Sequence, residues 1–191
     1  MRINLLITSI IFSKDRPAQL DLCLNSIKKN SSFDHEIIIH INEGIDGTFE
    51  FVKNNNYIFT YSQKNEGVCV AFNKAVKKST KKHIVLGHDD MYFCPNWDLV
   101  FNEELKNINH DNFFLSGTMI QPFKSYINLD CGKSFRDFNE SKLIHALPGI
   151  NFSDFQGTHW QPSLISLKTW NRVGGFSEEF SPGLGSDPDF N

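Results

Sequence analysis

His83-Ile84-Val85-Leu86-Gly87-His88-Asp89-Asp90 sets an apolar run directly against two adjacent carboxylates. A run without polar alternation suits a strand covered on both faces, as in a parallel sheet under crossover helices. Ile3 to Phe12, Glu36 to Ile41 and Tyr57 to Tyr61 share that character. The segments between them have helical spacing. From Pro17 to Lys29, Leu20, Leu24 and Ile27 fall on one face and Pro17 suits a first helical turn. From Gly67 to Ser79, Val68, Phe72, Ala75 and Val76 form a second apolar face. Gly47 to Asn54 reads as a further helix. Strand alternating with helix predicts an α/β fold, Rossmann-like, with a mostly parallel sheet and helices on both faces.

Past Pro95 the pattern changes. A helix is expected at Trp97 to Asn107, a strand at Phe113 to Ile120, a helix at Glu140 to Leu147, a strand at Ser163 to Leu167 and a short helix at Lys168 to Val173. Residues 122–160 mix Phe, Asn, Ser, Gly and Asp without a clean period. The expectation is one domain over 1–191, with a regular half at 1–95 and an irregular half at 96–191.

Composition excludes several classes. At 191 residues the chain can bury one full core. Hydrophobic residues at 40% and charged residues at 21% are ordinary globular values. A net charge of -3 offers no general attraction to polyanions, so nucleic acid is not an expected partner. Leu5 to Phe12 is too short and too interrupted for a transmembrane segment, and Lys14, Asp15 and Arg16 follow it where a signal peptide would carry a cleavage site. A cytoplasmic location, free or peripheral to a membrane, is the expectation. Cys23, Cys69, Cys94 and Cys131 are widely spaced, with no Cys-x-x-Cys pair, and read as buried free thiols.

The acidic pair has two readings. Carboxylates at the carboxyl end of a sheet strand stand where open α/β sheets bind ligands, and a magnesium or manganese ion takes one or two of them with phosphate oxygens and water. The same pair in a loop also serves as a turn or helix cap.

Four segments in order resemble family 2 glycosyltransferases of the GT-A fold, and the resemblance covers nearly the whole chain. Ile10 to Pro17 is similar to the family's first strand and its loop over the nucleotide, with Lys14 where Tyr is usual. Ile39 to Gly44 stands where the family has a strand ending in Asp-Asp-Gly-Ser, which puts Asn42 and Glu43 at the base. Asn65-Glu66-Gly67 with Ala71 to Ala75 resembles the family's Asn-x-Gly and the helix after it, and leads to His88-Asp89-Asp90. Val173 to Phe180, followed by Gly185-Ser186-Asp187-Pro188-Asp189, resembles the Gly-Gly-Phe-Asp-Glu segment and the later Glu-Asp-x-Asp, with Ser186 in place of Glu.

The resemblance implies a GT-A domain whose residues 1–95 bind a nucleotide-diphosphate sugar, a UDP-sugar by expectation, and whose second half binds an acceptor. Phe12, Lys14, Arg16, Asn42, Glu43, Asn65, Gly67 and Asp89 are the implied donor contacts. Lys14 and Arg16 would face the diphosphate or stand in a solvated loop. Asp90 is the implied ligand of a divalent metal (Mn2+ or Mg2+), joined by Asp89 or His88. Asp187 is the implied general base, although Ser-Asp-Pro also reads as a helix N-cap. Trp160 and Glu178 are candidates for acceptor contact; a packed Trp160 and a solvated turn at Glu178 are the plainer alternatives. The acceptor class, whether glycan, lipid-linked or protein, is not legible. A nucleotidyltransferase would need a Gly-rich loop after the first strand, and Ser13 to Pro17 has no Gly. A non-catalytic module of the same shape is the other alternative. Members commonly continue past the base segment, so a chain ending at Asn191 is expected to be an excised core or a compact member.

Overall fold

The computed structural model describes residues 16–123, 125–154 and 161–180, together with the backbone of residues 4–9. Strands β1 (Asn4–Ser9), β2 (Glu36–Asn42), β3 (Ile58–Ser62) and β4 (His83–His88) alternate with helices α1 (Arg16–Asn30), α2 (Thr48–Asn54) and α3 (Gly67–Val76). After them come α4 (Trp97–Asn107), β5 (Phe114–Ser116), β6 (Ile120–Gln121), β7 (Ile127–Asn128), α5 (Glu140–Ala146), β8 (Ser163–Ser166) and α6 (Leu167–Val173). The main sheet has the order β3-β2-β1-β4-β8-β5. β1 to β4 run parallel, and β8 enters antiparallel between β4 and β5.

Both faces of the sheet are covered, as continuous apolar runs require. On one face Leu20, Leu24 and Ile27 of α1, Val52 of α2 and Trp97 and Phe101 of α4 pack on Ile39, Ile41, Val85 and Leu164. On the other, Phe72, Ala75 and Val76 of α3 and Trp170 of α6 pack on Ile38, Ile84, Leu86 and Ile165. Odd and even positions of β2 thus serve opposite layers, which is the period-2 rule of a pleated strand.

The expected strand at Phe113 to Ile120 is split. β5 pairs with β8 only as far as Ser116 opposite Ser163, and then the Gly117 N–H donates to the Pro162 carbonyl at 2.7 Å. Pro162 has no N–H to return, so the ladder stops. Ile120 and Gln121 instead pair with Ile127 and Asn128 in a separate two-stranded sheet. The expected helix at Gly67 to Ser79 is also shorter: it ends at Val76, and Lys78 and Ser79 donate to Ala75 and Val76 carbonyls in a tighter last turn.

α6 starts on a polar device. Ser166 Oγ accepts the Thr169 N–H at 3.0 Å and donates to the Asp111 carbonyl at 2.9 Å, with Ser166 wholly buried. Ser166→Ala removes the cap, while the Asp111 carbonyl keeps the Thr169 hydroxyl as a donor at 2.5 Å. We expect a loss of about 1 kcal/mol, read as a lower urea midpoint at unchanged slope; an unaltered midpoint would remove the cap from the account of α6.

Candidate active site

The parallel strands end on one edge, and the strand order turns at β1: α1 leads from β1 to β2 on one side, whereas α3 leads from β3 back to β4 on the other. Such a switch point leaves a crevice beyond the strand ends, where open α/β sheets hold ligands. Arg16 opens α1 on one side of it and Asp89 follows β4 on the other. Their side chains meet: Arg16 Nη1 donates to Asp89 Oδ1 at 2.6 Å, with the two side chains only 9% and 2% exposed. Asp90, the next residue, is exposed. Two adjacent carboxylates, indistinguishable by residue type, therefore stand in opposite environments. From sequence, Arg16 is expected at the diphosphate or in a solvated loop, and Asp89 at donor hydroxyls or metal; here each has the other as a partner.

The loop beyond the pair is fastened to α1. The Phe93 N–H donates to Ser26 Oγ at 2.9 Å, and Asn30 Nδ2 donates to the Phe93 carbonyl at 2.6 Å and to Tyr92 Oη at 3.0 Å. The Cys23 thiol, buried beneath, donates to the His88 carbonyl at 3.5 Å. Burial first, and then the charges of Asp89 and Asp90, push that thiol well above its ordinary range, which disfavours the thiolate. Tyr92 also donates to Glu140, which accepts from Lys29 at 2.6 Å, so the start of α5 is tied to the same loop. The irregular half is thereby anchored beside the acid pair.

His88 ends β4 with its ring 5.6 Å from Phe72 and a side-chain hydrogen bond to Gln161. Burial lowers its pKa, against the opposing pull of Asp90.

At the end of β2, Asn42 is 1% exposed. Its Oδ1 accepts the Glu66 N–H at 3.2 Å, and its Nδ2 faces the Gly67 carbonyl at 3.5 Å. Asn65 Oδ1 accepts the Gly67 N–H at 2.9 Å, and Gly67 has φ 83°, a conformation that glycine adopts without penalty. Asn42, Asn65 and Gly67 thus shape the turn into α3. Glu43 is half-buried at φ 69°, unusual for a residue with a Cβ, and its N–H donates to the Ser62 carbonyl at 2.9 Å. Backbone held this way beside a strand end is a common mark of a binding site.

The sequence reading missed a polar network below this edge. His40, wholly buried, lies between Thr60 Oγ1 at 2.7 Å and Ser62 Oγ at 3.3 Å. Lys74 Nζ donates to Ser62 Oγ at 2.9 Å and pairs with the Glu66 carboxylate, which Ser62 also meets. An open groove of about 450 Å3 is lined by Tyr61, Ser62, Gln63, Lys64, Glu66 and Lys74. Glu66 and Lys74 lie outside one helical repeat of each other, so no local spacing announced the pair.

Burial, helped by the Lys74 charge, lowers the pKa of His40 from 6.5 to about 4. The unfolded chain then binds the extra proton between those values, so stability falls as pH drops below 6.5. We expect a loss of about 1 kcal/mol between pH 7 and pH 5.5 from this group, measured as a fall in the unfolding midpoint. The slope should flatten in His40→Gln; an equal slope in the variant would exclude His40 as its source.

Glu178 is exposed in a short turn after α6 and accepts from Asn73 Nδ2 at 3.0 Å. Phe12, Lys14, Trp160 and Asp187 lie outside the described residues. Among the described residues no group of three or more His, Cys, Asp or Glu side chains is arranged to hold a metal ion. No helix there is long and apolar enough to cross a membrane.

A covered sheet of this order, with an exposed carboxylate beside its switch point, defines an open α/β core of the doubly wound class. The chain belongs to Glycosyl transferase family 2, whose sequence profile matches residues 8–153. A Rickettsia bellii (strain RML369-C) protein described as an uncharacterized glycosyltransferase is 29% identical, over 83% of this chain and 26% of its own length. Among solved structures, S. aureus TarS residues 1–349 aligns at a TM-score of 0.69 with 14% identity, over 100% of this chain and 54% of that one. Mannosyltransferase PcManGT from Pyrobaculum calidifontis, in complex with GDP-Man and Mn2+, aligns at 0.59 with 15% identity, over 96% and 49%. The fold is GT-A. The chain spans about a quarter of that curated relative and about half of these solved chains.

Proposed function

We propose that this chain forms the catalytic core of an inverting glycosyltransferase that moves a sugar from a nucleotide-diphosphate donor, a UDP-sugar, to an acceptor hydroxyl. The observation that carries the reading is the exposed Asp90 carboxylate at the switch point, with Asp89 held behind it by Arg16. TarS has been crystallised with UDP and with UDP-GlcNAc, and PcManGT with GDP-Man, which supports a nucleotide-sugar donor.

The residues fit a magnesium or manganese ion rather than a metal caged by protein. Such ions keep several waters and need only one or two carboxylates beside phosphate oxygens. Asp90 would hold it, and when bound the ion neutralises charge on the departing diphosphate. Arg16 holds Asp89 in place, so a second carboxylate oxygen stands near donor hydroxyls. The Glu43 turn, Asn65 and Gly67 border the base and ribose. In the transfer step the acceptor oxygen attacks the anomeric carbon, the carbon–oxygen bond to the diphosphate breaks with its electron pair leaving on the diphosphate, and Asp187 takes the acceptor's proton. Trp160 and Glu178 are assigned to the acceptor.

Saturation-difference NMR with UDP, GDP and CDP in the presence and absence of diamagnetic Mg2+ tests the donor assignment. Signal transfer to a nucleoside diphosphate that strengthens with Mg2+ is expected. No contact with any of them would overturn the reading.

A further inference from the structure

Two segments far apart in sequence, Ala71 to Ala75 on α3 and Val173 to Phe180 after α6, meet at one side chain. Asn73 Oδ1 accepts the Phe176 N–H at 3.0 Å, and its Nδ2 donates to the Phe176 carbonyl at 2.9 Å and to Glu178 Oε1 at 3.0 Å. An amide that pairs with both backbone groups of one residue acts as a strand neighbour would, and sets that residue's orientation as well as its position. Gly175 is matched to it. At φ 83°, a Cβ there would lie 2.4 Å from Asn73 Oδ1 and 3.3 Å from the Trp170 ring, so neither backbone nor space accepts a side chain.

Phe176 is 2% exposed, with ring centroids 5.9 Å from Phe72 and 5.2 Å from Trp170. Phe72 lies 5.6 Å from His88, next to the acid pair. Ring burial already secures the turn against the core. What the amide adds is direction: it spends an N–H on the exposed carboxylate of Glu178, and an interaction so close to solvent contributes little stability. Its consequence lies in where that carboxylate stands.

We infer that Asn73 is a positioning residue for sugar transfer: it holds the Gly174–Phe180 turn, and with it the Glu178 carboxylate, in register with the strand end that carries Asp90. The inference rests on the glycosyltransferase reading above. Asn73 acts through the turn and contacts no donor, so its loss lowers kcat and leaves donor KM in place.

The test is steady-state kinetics with a nucleotide sugar that the wild-type chain turns over, beside thermal unfolding of each variant. Asn73→Ala should lower kcat about 10- to 100-fold, the scale of a misplaced reacting group, with donor KM within about twofold of wild type. Asn73→Asp, which loses the donor N–H and faces the Glu178 carboxylate, should behave alike. In a Glu178→Gln background, where the carboxylate that Asn73 positions is already gone, Asn73→Asp should cost less than about threefold further in kcat. A variant altered only in Tm, a raised donor KM at unchanged kcat, or an undiminished further loss in the Glu178→Gln background would each overturn the inference. If Asn73→Ala does not fold, the Asp and Gln series decides alone. A wild-type chain that transfers no sugar from any nucleotide donor removes the underlying reading, a result distinct from these.

Discussion

Asp90→Asn should abolish most metal-dependent transfer, lowering kcat by about 100- to 1,000-fold, as expected when a preorganised charge at the leaving group is lost. The physical case is local. Asp90 is exposed at the end of β4, its neighbour Asp89 is taken by Arg16, and no third carboxylate, His or Cys joins them among the described residues. An amide in place of Asp90 keeps the shape and loses the charge. Folding should be nearly unaffected, because an exposed side chain contributes little to stability. The paired measurement is Asp187→Asn, which removes the proposed general base and should cost about 100- to 10,000-fold in kcat while nucleoside-diphosphate binding with Mn2+ persists. Asp90→Asn should instead lose the Mn2+ enhancement of that binding. Wild-type turnover in Asp90→Asn would take Asp90 out of the metal site; wild-type turnover in Asp187→Asn would leave a binding module without this base.

The largest expected effect on stability lies one residue earlier. Breaking the Arg16–Asp89 pair from one side leaves a charge buried in the crevice, at a cost of about 3–5 kcal/mol. Asp89→Leu should therefore lower Tm by roughly 6–20 °C in a chain of this size. Arg16→Met should do the same. The double variant is the deciding measurement: with both charges gone no ion remains stranded, so stability should return to within about 1–2 kcal/mol of wild type. Additive losses would mean that the two side chains act independently, and single losses under about 1 kcal/mol would mean that water screens the pair. Catalysis need not follow stability, because a stable double variant would still lack the Asp89 carboxylate proposed for the donor.

The sequence by itself determined the alternation of strand and helix, the burial of both sheet faces and the placement of the acid pair at a strand end. These are local patterns: Ile37 to Ile39 and Ile84 to Leu86 have no polar alternation, and Leu20, Leu24 and Ile27 repeat at the helical period. Motif order also pointed to the family. What it did not determine depends on partners that no period brings together. Arg16 and Asp89 are 73 residues apart, and Asn73 and Phe176 are 103 apart. Only the switch point at β1 and the return of α6 beside α3 make these pairs neighbours. The antiparallel entry of β8 and the break at Gly117 belong to the same class, since a strand's direction depends on what it pairs with. The two carboxylates of Asp89 and Asp90 show the division most clearly. Their chemistry was legible from their types, whereas which of them is buried against a cation and which stays exposed was decided by tertiary packing, because desolvation and charge pairing depend on distance in space.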